Sequence, residues 1–356
     1  MAPSHRRFSG LLAVVAVAAF ALVACSDDGD DDAGASSNGG AGEDVTLRLG
    51  YFPNVTHAPA LVGIQEGLLE ENLPDGTTLE LSDFNAGTDV VEAILAGSLD
   101  ASYIGPNPAI SLFAQDPDEI RIVSGATSGG AFLVVNDEIQ SPKDLAGKSI
   151  ASPSLGNTQD VALRAWLAEE GFETTPEGGG DVTIVPQDNA TSLTGFQAGE
   201  LDGAWVPEPW ATRLIEEGGA HVLVDEADLW PDGEYVTTHV IVRTEFLEDN
   251  PEVVKGLLEG HVAAVDSIAD DEDAAAEDVS AQIEEATTEP VDIELVKTTF
   301  GNLIFTEDPI ASSLTVSAQH AEELGLLDPV DLDGIYDLTL LNEILSDQGK
   351  PEVSDT

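Results

Sequence analysis

Four stretches of the chain carry the residue types that hold anions through neutral donors. They are Gly50-Tyr51-Phe52-Pro53-Asn54-Val55-Thr56-His57, Gly105-Pro106-Asn107-Pro108, Thr127-Ser128-Gly129-Gly130 and Ser154-Leu155-Gly156-Asn157-Thr158-Gln159. Glycine lets the backbone approach a ligand closely. Ser, Thr and Asn cap helices and donate hydrogen bonds. A helix N-terminus offers unbonded N–H groups and a partial positive charge. Several such ends converging on one cleft bind an anion without lysine or arginine. The same residues cap strand-to-helix turns in any α/β protein, so one turn alone says little; four in two regions favour a ligand cleft. Lys143, Lys148 and Arg164 lie near these turns and none lies inside one.

Trp205-Val206-Pro207-Glu208-Pro209-Trp210 is a fifth unusual stretch, holding two of the four tryptophans. Pro209 suits the first turn of a helix. Glu208, at a strand-to-helix junction, is placed to meet a ligand amine, and the rings to cover apolar ligand carbons. The competing reading is a tight turn with a core tryptophan. Catalytic signatures are missing: no G-x-S-x-G elbow, no Walker A loop and no His-Glu-x-x-His. The six histidines are scattered without metal-ligand spacing, and only His57 has suggestive neighbours. No cofactor or metal is expected.

The elements that must position these turns alternate. Val45–Gly50, Thr78–Phe84, Ala101–Ile104 and Ile120–Ser124 read as strands. Pro59–Leu69, Asp89–Ala96 and Pro108–Ala114 read as the helices between them. The grammar repeats with strands Ala131–Val135, Lys148–Ala151, Val182–Val185, Leu201–Trp205 and His221–Val224. The matching helices are Thr158–Glu170, Ser192–Ala198 and Pro209–Glu217. Such alternation implies parallel β-α-β units. After a strand at Val236–Val242, a long amphipathic helix at Pro251–Asp270 opens a helical C-terminal region. The expectation is an α/β protein of two lobes, the second inserted in the first, with ligands beyond the strand carboxyl ends. The boundaries are 45–125 for the first part of lobe 1, 126–235 for lobe 2, and 236–356 for the return and C-terminal helices.

The N-terminus addresses the compartment. His5, Arg6 and Arg7 precede an apolar run, Leu11–Ala24, too short to span a bilayer comfortably and of signal-peptide length. It ends in Leu22-Val23-Ala24-Cys25, which resembles a bacterial lipobox. Cys25 is the only cysteine, so it forms no internal disulfide and sits where a lipid anchor would sit. Residues 1–24 are expected to be a signal peptide, and 25–44 the lipidated cysteine with an acidic flexible tether. With 68 Asp and Glu against 12 Lys and Arg, the net charge is −56. That excludes nucleic acid as a partner, since phosphate contacts need basic side chains. The acidity reads as a solvated surface suited to salt.

In four pieces the chain resembles the substrate-binding proteins of ABC importers for aliphatic sulfonates, taurine and nitrate. These are Leu49 to Ala58, Gly156 to Arg164, Trp205 to Trp210, and Phe305 to Leu314. The resemblance implies a type II periplasmic-binding-protein fold, in which two α/β lobes close on the ligand. It implies ligand contacts at Asn54, His57, Asn107, Ser128, Gly129, Asn157, Thr158 and Glu208, with Trp205 beside them. The implied function is capture of a small anionic solute, a sulfonate, and its delivery to membrane permease subunits. The implied protein is a monomer, exported and lipid-anchored on the outer face of the cytoplasmic membrane, or periplasmic. Nitrate, bicarbonate and a thiamine-pyrimidine precursor are alternative solutes. A ligand sensor is an alternative role. Pyrimidine synthases share the fold and would make His57 reactive, but they carry a cysteine-rich segment that this chain lacks.

Overall fold

The computed structural model describes residues 45–356. The expected signal peptide, the lipidated Cys25 and the tether therefore lie outside the described residues. Among the described residues, eleven strands form two sheets. They are β1 (Val45–Tyr51), β2 (Thr77–Asp83), β3 (Ala101–Ile104), β4 (Ile120–Gly129), β5 (Ala131–Val135), β6 (Ser149–Ser152), β7 (Thr183–Pro186), β8 (Gly203–Pro207), β9 (His221–Asp225), β10 (Val236–Arg243) and β11 (Leu303–Phe305). The larger sheet has the order β11-β4-β10-β3-β1-β2 and the smaller β7-β6-β8-β5-β9.

Both sheets are mixed, where alternation alone predicts parallel strands. Within the larger sheet β1 runs parallel to β2 and β3, and within the smaller β6 runs parallel to β7 and β8. The exceptions adjoin the crossings between sheets. β10 is antiparallel to β3 and β4, and β5 is antiparallel to β8 and β9. A strand entered directly from the other sheet, with no crossover helix, is free to run antiparallel. β11, within the stretch expected to be helical, pairs with β4.

The pleat sorts side chains between layers. On β8, Ala204 and Val206 join Phe132, Leu193 and Phe196 on one face. Trp205 points to the other, against Leu133, Leu163, Trp166 and Leu167. The larger sheet is likewise covered on both faces. Its longest cover is the helix Pro251–Asp270, which has Pro in its first turn. Val254, Leu257, Leu258, Val262, Val265 and Ile268 recur at helical spacing and are buried. Gly256 and Gly260 face the short helix Leu68–Glu71 and its end. A Cβ there would stand 2.5 Å from Asn72 O and 2.6 Å from Leu68 O, so the backbones meet only because both are glycine. The expected helix Pro59–Leu69 is two, Ala58–Gln65 and Leu68–Glu71, broken at Gly67 with φ of 76°.

Candidate functional site

The six parallel strands direct their C-terminal ends toward one cavity. It is lined from the larger sheet by Phe52, Asn54, Thr56 and His57 after β1, by Asn85, Ala86 and Gly87 after β2, and by Gly105 and Pro108 after β3. The smaller sheet supplies Pro153, Asn157, Thr158 and Gln159 after β6, Asn189 after β7, and Pro207 at the end of β8. Thr237, near the start of β10, completes it. The cavity holds about 40 Å³, and among the described residues no lysine, arginine, aspartate or glutamate lines it.

Four helices begin at this cavity: Gly87–Leu95, Pro106–Gln115, Thr158–Glu169 and Asn189–Gln197. The first N–H groups of a helix have no intrahelical acceptor. Their partial positive charges converge here and favour an anion. The Thr158–Glu169 helix is capped by Asn157, whose Oδ1 accepts the Asp160 N–H at 3.1 Å. Behind the cap, buried Asp160 accepts from Ser152 Oγ at 2.6 Å, Gly156 N at 2.9 Å and Arg164 Nε at 2.9 Å. Arg164 therefore fixes the turn from beneath and does not enter the cavity. Thr158 reaches across to the other sheet: a Cβ on Gly105 would stand 2.6 Å from its Oγ1. Only glycine at position 105 allows this approach.

Across the cavity, Asn54 Oδ1 accepts the N–H and the hydroxyl of Thr56, each at 3.2 Å. His57 is buried and stacks on Phe52 with ring centroids 4.3 Å apart. Burial lowers its pKa to about 3, so the ring is neutral at physiological pH. Its Nδ1 accepts from Phe52 N–H at 3.4 Å, which puts the ring proton on Nε2 and makes that nitrogen a neutral donor. Asn189 contributes Oδ1, buried without a partner. The arrangement offers carboxamides, hydroxyls, helix N–H groups and one neutral imidazole. Such a donor set can hold a small oxyanion by hydrogen bonds.

The structure brings together Asn54, His57, Asn157 and Thr158 of the residues singled out in the sequence. The other five do not line the cavity. Asn107 is buried and donates from Nδ2 to Ser317 O at 3.2 Å. Ser128 Oγ accepts the Tyr235 N–H at 3.3 Å, and Gly129 O accepts the Thr237 hydroxyl at 2.6 Å. Those two residues bind the crossing segments to each other. Trp205 is fully buried in the strand layer and donates Nε1–H to Glu226 Oε2 at 2.7 Å. Glu208 is buried and accepts from Thr212 N at 3.1 Å, Thr212 Oγ1 at 2.9 Å and Asn302 Nδ2 at 2.8 Å. Its carboxylate oxygens accept three protein donors, and the side chain does not line the strand-end cavity. Burial still raises its pKa, against the pull of those bonds.

Asn85 and Asn189 were missed, although each follows a strand end and opens a helix as the quoted turns do. Thr237, inside β10, carries no such signal.

Residues 40–284 match the NMT1-like family. The chain is 30% identical over 190 residues to the taurine-binding periplasmic protein of Escherichia coli strain K12, covering 53% of this chain and 57% of that protein. The chain spans about three fifths of the length of the first curated relatives it matches, 57% to 65%. Among solved structures, the alkanesulfonate-binding protein SsuA of Xanthomonas axonopodis pv. citri, bound to MOPS, superposes with a TM-score of 0.67 at 19% identity. That alignment covers 85% of this chain and 99% of the other. The periplasmic nitrate-binding protein NrtA of Synechocystis PCC 6803 gives 0.74 at 15% identity, covering 87% and 90%. The fold is that of the periplasmic binding proteins.

Proposed function

The chain belongs to the NMT1-like family, and on that premise we propose that it is the extracytoplasmic solute-binding subunit of an ABC importer. Its solute in this reading is a small organosulfonate such as taurine. The observation that carries the proposal is the convergence of six strand ends and four helix N-termini on a cavity with no charged side chain. Neutral donors suit a monoanion better than a phosphate dianion, for which charge-assisted partners are the usual choice. Asn54 through Nδ2, His57, Asn157 and Thr158 are the proposed headgroup donors. Asn189 Oδ1 is an unused acceptor at the same wall and suits the ammonium of taurine. We read the two sheets as cores of two lobes, 45–125 with 236–356 and 126–235. A solute touching both shifts an open-closed equilibrium toward the closed form that docks on the permease.

A volume of about 40 Å³ favours a short solute, and nitrate is the second reading. Titration calorimetry with taurine, ethanesulfonate, nitrate, bicarbonate and a hydroxymethylpyrimidine separates them. Taurine binding at about micromolar Kd with nitrate silent supports the proposal. A response to nitrate or the pyrimidine alone overturns the solute and leaves the transport role.

The anchor belongs to the same proposal. With Cys25 lipidated, the wild type fractionates with membranes and Cys25→Ala is released; equal fractionation of both would refute the anchor.

A further inference from the structure

A second cavity, of about 240 Å³, lies away from the strand ends, where the helices Thr158–Glu169 and Ala311–Glu323 pack beside the crossing segment between β9 and β10. Trp166, Trp230 and the buried Glu226 are among the residues that line it. Glu169 stands at the rim, and Val316 and His320 close the side. Trp230 is held flat against Tyr235, ring centroids 5.4 Å apart and planes 8° from parallel. Trp166 is braced on Trp205 at 5.9 Å. Both indoles are therefore rigid aromatic surfaces, set before any ligand arrives.

Glu226 is the unexplained group. It is 1% exposed, and no lysine, arginine or histidine forms an ion pair with it among the described residues. Its one strong bond is from the Trp205 indole N–H at 2.7 Å. A buried carboxylate without a cation is costly unless something supplies the opposite charge. Burial raises its pKa to about 7, against the pull of the two indoles Trp205 and Trp230. An aromatic face attracts cations through its quadrupole, most strongly for tryptophan. Aromatic side chains, a buried carboxyl group with no basic partner and a second carboxylate at the rim converge on one ligand chemistry.

We propose that this cavity is a second binding site, for a small organic cation of the quaternary or protonated amine class. The ammonium sits between the Trp166 and Trp230 faces above Glu226, and Glu169 screens the entrance. The site is independent of the strand-end cavity and of its solute. A ligand here touches the helix Thr158–Glu169, whose first turn lines that other cavity, and the helix Ala311–Glu323 that covers the larger sheet.

The test uses the full chain with choline and tetramethylammonium, followed by tryptophan fluorescence and calorimetry. The neutral isostere 3,3-dimethylbutanol is the control. Binding of both cations with tryptophan quenching is expected, with the alcohol silent. Glu226→Gln keeps the shape and an acceptor for Trp205, and is expected to weaken the cations about tenfold. Glu169→Gln, at an exposed position, is expected to weaken them by a smaller factor and leaves the core untouched. No response to either cation at roughly 10 mM overturns the proposal, since even a weak specific site is occupied there. Equal binding of the alcohol, or cation affinity unchanged in both variants, overturns it as well.

Discussion

The Gly156–Gln159 turn and the Trp205–Trp210 segment lie side by side in the smaller sheet, yet meet opposite fates. In the parallel register of β6 and β8, Ala151 sits opposite Ala204. Ser152, the last residue of β6, is thus level with Trp205, which still has two strand residues to follow. Residues past Ser152 are clear of the ladder, and of these Pro153, Asn157, Thr158 and Gln159 line the cavity. Trp205 remains inside it, and the pleat turns its ring into the layer against Trp166. Glu208 does lie beyond its strand, but Thr212 and Asn302 claim its carboxylate. The segment richer in chemistry builds the scaffold, and the plainer one lines the cavity through Asn157, Thr158 and Gln159. Distance past the strand end decides between them before side-chain identity does.

Four measurements sharpen or break this contrast. Trp205→Ala is expected to cost about 4 kcal/mol of unfolding free energy, by leaving a large void under β8. Denaturant unfolding reads it, and a loss of solute affinity at unchanged stability would return Trp205 to the site. Glu208→Ala is expected to cost about 3 kcal/mol, because the donors of Thr212 and Asn302 are left unpaired in the interior. The same unfolding experiment on Glu208→Gln, which keeps one acceptor, is expected to fall between.

The third measurement is stability against pH. Glu226 has a folded pKa of about 7 against an ordinary 4.5. Between these values the unfolded chain releases the proton and the folded chain keeps it, so stability falls as pH rises from 4.5 to 7. Glu226→Gln is expected to remove that fall, about 3 kcal/mol. His57 acts oppositely. Its folded pKa of about 3 lies below the ordinary 6.5, so its contribution is lost as pH falls from 6.5 toward 3. Solute affinity is expected to stay level between pH 5 and 8 as far as His57 governs it, and a titration-like step near 6 would mean a charged ring. The smallest effect is on stability at Thr158. Thr158→Val keeps the shape and removes the hydroxyl, with expected losses of about tenfold in solute affinity and under about 0.5 kcal/mol in stability. A large stability loss with unchanged affinity would make Thr158 a packing residue.

Much of the fold was legible. Ala101–Ile104, Ala131–Val135 and Pro251–Asp270 run as the pattern places them, because apolar periodicity and flanking Pro or Gly record local needs. Strand direction beside the crossings was not legible, since a strand's own residues do not encode which way its neighbour runs. At the site, Asn157 and Thr158 declare themselves as a cap and first turn. Asn107 has the same look, but its amide is taken by Ser317, 210 positions away. Ser128 and Gly129 are similar, drawn off by Tyr235 and Thr237 from the second crossing.

By itself, then, the sequence determined the alternation of elements, the turns able to present neutral donors and the large excess of acid. Capping, periodicity and charge are properties of neighbours along the chain, and a linear reading captures them. Only the tertiary structure decided which turns share a cavity, that Trp205 and Glu208 face inward, and that Glu226 lies buried between indoles without a cation. Those outcomes depend on register, pleat and contacts between residues far apart in sequence, and on donors that satisfy a side chain before any solute does.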